Sequence, residues 1–378
     1  MNVEKGVSTG AMFVERMTEL KKIGMKAGID AFLVNSEPNM RYLAGFSTLA
    51  IERFAGLVVP VEENTPTVIV PRLEEQKAKE KSAFKEIRSY DDSESPARVL
   101  RQVIEEKKLE KSTFGVEWTL AFKFYKMLAE CSPKIEVKDA SEIFSQLRCI
   151  KSEEELENIR KAASIVGKGI NAGIDFIKPG LSETSISFEI EKTIKQNGGE
   201  SVPFCLVLSG SSSAIPHGET SSRKVMKQDV VLMDVGAVYK GYYADLTRTV
   251  FIGQATRKQR EIYEIVSNAQ EAAVKAVKPR VKAEEIDAAA RKTIEKAGYG
   301  DYFTHRTGHG LGLEVHEEPY ITKENKTVLQ PGMTFTIEPG IYLAGKFGVR
   351  IEDNIVVSTK DGKLLSNLPK DLQVISSA

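Results

Sequence analysis

A chain of 378 residues is long enough to build two cores of ordinary size. Lys+Arg and Asp+Glu both number 53, so the formal charge is zero, and nothing in the overall balance calls for a polyanionic partner such as nucleic acid. Three cysteines, Cys131, Cys149 and Cys205, lie far apart without metal-type spacing, and an odd count suits reduced core thiols better than a disulfide framework.

Met1 to Leu20 mixes charged with apolar residues and lacks the continuous apolar stretch of a secretory leader. No membrane-length apolar run follows it, so a cytoplasmic protein is expected. Ala11 to Ala27 has helical periodicity with Gly28 as its stop, and Ala31 to Asn35, Gly56 to Val61 and Thr67 to Val70 read as short strands. Amphipathic helices are expected at Pro96 to Lys108 and Thr119 to Glu130, which makes residues 1–150 an α/β domain. Ser152 and Glu155 then have the spacing of a capping box and open a long helix, the start of a second domain over residues 151–378. A further helix from Ser182 ends at Gly198-Gly199. After it come a β-rich run from Val202 to Ile252, two helices between Thr256 and Ala297, and a second β-rich run. That order hints at an internal duplication.

The chemistry-bearing residues are acids and histidines set in apolar strands, where a charge needs a partner. If Lys240-Gly241 is a two-residue hairpin loop, Asp245 faces Gly236 and Asp234 lies two residues along on the same face. Two carboxylates so close require a cation between them or a shared proton, and a cation is the simpler reading. Glu338 and Glu352 are equidistant from Gly345, so a hairpin centred there sets them opposite one another. Between the two pairs lies Thr307-Gly308-His309-Gly310, whose alternate glycines suit close backbone approach and unusual dihedrals around a histidine. The chain has four histidines, and His305, His309 and His316 fall within twelve residues, with His217 upstream. Any one of these residues has a bland explanation as an edge or salt-bridge residue, and His305 alone reads as structural. The ordered set of Asp, eleven on to Asp, sixty-four to His, twenty-nine to Glu and fourteen to Glu is a pattern chance rarely supplies.

With Glu338-Pro339-Gly340, Arg350-Ile351-Glu352-Asp353 and, more loosely, Asn39-Met40-Arg41-Tyr42-Leu43-Ala44-Gly45-Phe46, the chain resembles the proline-directed pita-bread metallopeptidases, the branch containing prolidase (Xaa-Pro dipeptidase) and aminopeptidase P. The resemblance implies a creatinase-like α/β N-terminal domain followed by an α+β pita-bread catalytic domain. It also implies two divalent metal ions, with Asp234 on one, His309 and Glu338 on the other, and Asp245 and Glu352 bridging both. A mostly hard ligand set suits Mn²⁺ or Co²⁺, with Zn²⁺ or Fe²⁺ possible. The implied nucleophile is a hydroxide shared by the metals, with Glu338 accepting its proton. By the same resemblance His217 and His316 contact substrate or the tetrahedral intermediate, and Arg350 orients the ligand acids. The substrates are short proline-containing peptides and the assembly is a homodimer.

Proline as leaving group calls for an apolar pocket, and Phe204, Val315, Tyr320 and Tyr342 are the candidates for it. Prolidases of this branch often carry an arginine shortly after the His-Glu pair, whereas this chain has Tyr320 there. A dipeptide carboxylate then needs another partner, Arg350, Arg306 or Arg41 of a neighbouring subunit, and an aminopeptidase P acting on longer peptides stays open. Creatinase lacks the acids this chain retains. Methionine aminopeptidase lacks a comparable N-terminal domain, and non-catalytic pita-bread binding modules usually lose ligands.

Overall fold

The structure, a computed structural model, describes residues 9–48, 52–63 and 65–376. Met1 to Ser8 of the expected leaderless N-terminus lie outside these residues. Backbone contacts divide the chain into two compact units, Met1–Arg148 and Cys149–Ala378.

In the first unit, α1 (Thr9–Ala27) stops at Gly28, whose φ of 65° is a left-handed turn that glycine adopts without strain. There follow β1 (Ala31–Val34), α2 (Glu37–Ala44), β2 (Gly56–Pro60), β3 (Thr67–Pro71), α3 (Glu75–Lys81), β4 (Ile87–Tyr90), α4 (Pro96–Glu106), β5 (Thr113–Val116), α5 (Phe122–Cys131), β6 (Glu136–Asp139) and α6 (Ser141–Cys149). The strands form one mixed sheet in the order β4-β3-β2-β1-β5-β6. β1 is buried on both faces, which is why it reads as an unbroken apolar run. Asn39 to Phe46, singled out in the sequence, form α2 and its cap. Buried Glu117 accepts hydrogen bonds from the backbone N–H groups of Asn35 (2.9 Å) and Ser36 (3.0 Å) at the start of that helix. Arg41, a candidate carboxylate partner, pairs along α2 with Glu37 at 3.2 Å.

The second unit opens with α7 (Glu153–Phe176), whose reciprocal Ser152–Glu155 capping box forms as its spacing predicts, and α8 (Glu183–Gln196). Strands β7 (Cys205–Ser209), β8 (Val230–Tyr239) and β9 (Tyr242–Ile252) precede α9 (Arg257–Ala276) and α10 (Ala283–Lys296). The remaining strands are β10 (Gly308–Gly310), β11 (Glu317–Ile321), β12 (Thr334–Ile337), β13 (Gly340–Leu343), β14 (Phe347–Arg350), β15 (Asp353–Val357), β16 (Gly362–Leu364) and β17 (Gln373–Ile375). They assemble as β17-β9-β8-β7, β11-β10-β12-β15-β16 and the pair β13-β14. Two helices followed by strands occur twice, and the loops between the paired helices match as Lys178-Pro179 and Lys278-Pro279. This is the duplication the element order hints at.

Alternation along the strands decides what the helices cover and what is left for chemistry. Val231, Met233, Val235 and Ala237 of β8, with Ala244, Leu246, Val250 and Ile252 of β9, pack into one core with Ile186, Ile190 and Ile194 of α8. Truncating a fully buried Ile190 to alanine costs about 2–5 kcal/mol. The opposite face of the same hairpin carries Asp234, Asp245 and Thr247. A second core joins α9 and α10 to β12, β13, β14 and β15. Among the described residues no helix is long and apolar enough to cross a membrane.

Candidate metal centre

The β8–β9 register sets Gly236 opposite Asp245 and Asp234 opposite Thr247, the pairing expected from the two-residue loop. Lys240 and Gly241 both have positive φ, 48° and 81°, the type I′ geometry whose twist matches the flanking strands. The second hairpin also has the expected register, with Gly340 opposite Arg350 and Ile337 opposite Asp353. It is not one continuous ladder. Glu338 and Glu352 lie at the break where the two strands leave one sheet for another, and their N–H groups turn to the carbonyls of Thr307 (2.8 Å) and Thr247 (3.1 Å). That break points Glu352 at Thr247 of the first hairpin and Glu338 at His309.

His309 enters from β10 between the two. A Cβ on Gly308 would lie 1.9 Å from the carbonyl oxygen of Thr336, and one on Gly310 would lie 2.4 Å from that of Glu318. Neither glycine has a positive φ. The expectation of unusual dihedrals is therefore corrected: the glycines serve by lacking a side chain where strands press together. His309 Nε2 comes within 3.4 Å of Glu338 Oε1 and 3.7 Å of Asp245 Oδ2. Its Nδ1 is 3.1 Å from the Gly310 carbonyl, which can only accept, so Nδ1 carries the proton and Nε2 presents its lone pair to the acids. Burial lowers the His309 pKa to about 3, with His316 adding to the shift, so the ring is neutral at physiological pH.

Three acids have an orphaned oxygen, and in two of them the other oxygen is held. Asp234 Oδ2 pairs with the Arg350 guanidinium and Glu352 Oε2 accepts from Thr247 Oγ1 at 2.6 Å. Asp234 Oδ1, Asp245 Oδ1 and Glu352 Oε1 are buried without a hydrogen-bond partner among the described residues. Buried carboxylate oxygens so close together demand protons or cations. Burial and the neighbouring acids push Asp245 and Glu352 well above the usual carboxylate range and raise Glu338 to about 7. Ligand atoms of Asp245, His309 and Glu352 lie within 4.8 Å of one another. Oxygen-rich donors with one neutral imidazole, unpaired oxygens and mutual repulsion fit a divalent metal.

Arg350 spans the back of this cluster. Its Nη2 binds Asp234, Nη1 reaches the Tyr342 hydroxyl (2.8 Å) and the Pro216 carbonyl (3.4 Å), and Nε reaches Thr247 Oγ1 (3.2 Å). Tyr342, expected in the wall of a proline pocket, is instead buried. Its hydroxyl links Arg350 to His305 Nε2 at 2.8 Å, so it braces the site from behind, and His305 belongs to that brace. Phe204 does sit on the acid-bearing face: a Cβ on Gly236 would meet its ring at 2.5 Å. Val315 and Tyr320 are half-buried, on the segment that carries His316. His316 is exposed, and its ring meets that of His309 edge-on with centroids 4.0 Å apart. His217, exposed in the turn after Pro216, is close enough to disfavour protonation of His316.

Sequence reasoning missed the groups that fix the acids. Thr247, Asn354 and Thr336 each lie two residues from a ligand candidate. Asn354 brackets Asp245, accepting from its N–H at 3.2 Å and donating to its carbonyl at 2.6 Å. Thr336 reaches Glu338 Oε1 at 3.2 Å. The period of two was the available signal. Behind Glu352, buried Arg248 holds its carbonyl (2.7 Å) and pairs with Asp353 (2.8 Å).

Residues 157–359 match the model of metallopeptidase family M24, and residues 16–150 match the creatinase/prolidase N-terminal domain. The chain is 38% identical over 359 residues to a Xaa-Pro dipeptidase of Pyrococcus furiosus, covering 95% of this chain and 99% of that one. Among solved structures, a prolidase from Thermococcus sibiricus superposes with a TM-score of 0.91 at 40% identity, covering 96% of this chain and 99% of that one. An X-Pro aminopeptidase from Thermotoga maritima does so with a TM-score of 0.87 at 33% identity, covering 95% and 99%. The chain therefore belongs to metallopeptidase family M24, with a creatinase/prolidase-type domain at its N-terminal side.

Proposed function

We propose that this protein hydrolyses the bond before proline in dipeptides, with two divalent metal ions held by Asp234, Asp245, His309, Glu338 and Glu352. The observation that carries this reading is the set of orphaned carboxylate oxygens converging on a deprotonated imidazole nitrogen. Its support in kinship is end-to-end likeness to the Xaa-Pro dipeptidase of P. furiosus and the prolidase of T. sibiricus. The donor set favours Mn²⁺ or Co²⁺, with Zn²⁺ and Fe²⁺ also compatible. When bound, such ions supply a water that ionises near neutral pH and a positive field for the scissile carbonyl.

The chain's own residues then act as follows. Arg350 occupies one oxygen of Asp234 and Thr247 one of Glu352, which would leave the other oxygen of each acid to hold a metal. Glu338, whose Oε1 lies 3.4 Å from His309 Nε2, is the acid that would accept a proton from the attacking water. His316 and His217, on the exposed side of His309, are placed to donate to the oxyanion or to the departing proline nitrogen, which has no N–H of its own. Phe204 provides apolar surface on the same face for the proline ring. The reading extends to a cytoplasmic homodimer, in keeping with three free cysteines.

Likeness to the X-Pro aminopeptidase of T. maritima keeps a second reading, removal of the first residue from longer Xaa-Pro peptides. Comparing hydrolysis of Ala-Pro and Ala-Pro-Ala by protein loaded with Mn²⁺ or Co²⁺ separates them. Faster cleavage of the dipeptide supports the first reading, faster cleavage of the tripeptide the second, and cleavage of neither refutes both.

A further inference from the structure

Cations around the site are paired with acids, with one exception among the described residues. Arg350 binds Asp234, Arg248 binds Asp353, Arg291 binds Asp287 at 2.9 Å, and Lys151 binds Glu317 at 2.7 Å. Arg306 is half-buried and has neither an acid partner nor a hydrogen-bonded acceptor for its guanidinium among the described residues. What it has is a platform: its Cζ lies 4.5 Å from the centroid of the Tyr320 ring. Stacking on an aromatic face occupies one side of the guanidinium plane and leaves the N–H edges free to bind.

The backbone around Arg306 is fixed on both sides. Arg291 donates to the carbonyls of Phe303 (3.1 Å) and His305 (2.9 Å). Thr307 N–H donates to the Ile321 carbonyl at 2.9 Å, and Thr307 Oγ1 donates to Asp287 at 2.8 Å. The mount adjoins the site through the chain itself, since Arg306 lies three residues before His309 and Tyr320 four residues after His316. An unpaired, half-desolvated guanidinium on a rigid mount beside a peptidase centre is poised for an anion.

We infer that Arg306, stacked on Tyr320, is the specificity-determining partner of the substrate's terminal carboxylate; this rests on the dipeptidase reading. In a dipeptide the carboxylate carbon is joined to the scissile carbonyl carbon through only the proline nitrogen and Cα, so its clamp must border the metal centre. A planar guanidinium can hold both carboxylate oxygens through two parallel N–H bonds. In a longer peptide the same position carries a neutral carbonyl, and the charge-assisted pair is lost.

The test uses metal-loaded protein with Ala-Pro and Ala-Pro amide, which differ only in that terminal charge. Wild type should prefer Ala-Pro. Arg306→Gln should lower kcat/KM for Ala-Pro by about 10- to 100-fold, chiefly through KM, while the amide rate stays within about threefold and metal content is unchanged. Arg306→Lys, which keeps charge without the fork, and Tyr320→Leu, which removes the platform, should each lose part of the preference for Ala-Pro over the amide. If wild type prefers Ala-Pro and the Arg306 variants keep that preference, or both substrates slow equally in well-folded Arg306→Lys, the assignment to Arg306 is wrong and the dipeptidase reading stands. If wild type prefers the amide, the dipeptidase reading falls and the assignment with it.

Discussion

Replacing Glu338 by glutamine should stabilise the metal-free protein at neutral pH while removing its capacity to be stabilised by metal. Glu338 ionises near 7 in the folded protein because burial and Asp234 oppose its charge, against about 4.5 for an unperturbed glutamate. Between those values the folded state holds a proton that the unfolded state has released, so stability falls as pH rises through that window. The full difference is on the order of 3 kcal/mol, reached above pH 7 and absent below pH 4.5. Asp245 and Glu352 act in the same direction, whereas His305 and His309, with pKa values lowered to about 4 and 3, make stability rise with pH over a partly overlapping range. Comparing wild type with Glu338→Gln cancels most of those contributions. Calorimetric unfolding of chelated protein at pH 5, 6, 7 and 8 is the suitable assay, because the one tryptophan, Trp118, lies in the other unit and would not report on this one. The variant should gain on wild type as pH rises, and added Mn²⁺ should reverse the ranking. Parallel curves for the two proteins across that range would refute the claim that Glu338 sits in a cluster of repelling acids.

Three further outcomes follow from the same geometry. His316→Ala should retain its metal and lose about 100- to 10,000-fold in kcat, because the ring is exposed beside that of His309; loss of the metal from this variant would overturn that placement. Arg350→Gln should lower the unfolding midpoint and metal affinity together, since it leaves Asp234 and Tyr342 without their shared cation, at about 3–5 kcal/mol for a broken buried pair; an unchanged midpoint would contradict this. Metal binding to the apo-protein should release protons at pH 6.5, where Glu338 is still largely protonated, as detected by a pH indicator on titration with Mn²⁺; silence of the indicator would count against the raised pKa.

The two hairpins were readable because strand chemistry is local. A positive-φ Lys240-Gly241 turn fixes one register, and equal spacing about Gly345 fixes the other. What the spacing could not convey is the break in the second hairpin. Glu338 and Glu352 leave the ladder because their N–H groups are taken by Thr307 and Thr247, carbonyls of residues distant in the chain. Tyr342 was misjudged for a similar reason: an aromatic residue beside a site reads as pocket wall, but its hydroxyl is claimed from both sides by Arg350 and His305. The roles of Thr247 and Asn354 were legible in principle from their position two residues beyond Asp245 and Glu352. Arg306 was legible only as one of several arginines, since what distinguishes it is the Tyr320 ring beneath it and, among the described residues, the absence of an acid partner.

The most direct test of the account is the metal content of the purified protein, measured by inductively coupled plasma mass spectrometry alongside Ala-Pro hydrolysis. The account predicts two divalent ions per chain after loading with Mn²⁺ or Co²⁺, parallel loss of metal and activity on chelation, and loss of both in Asp245→Ala. Chelated wild type, or Asp245→Ala, that still cleaves Ala-Pro at the full rate would contradict it.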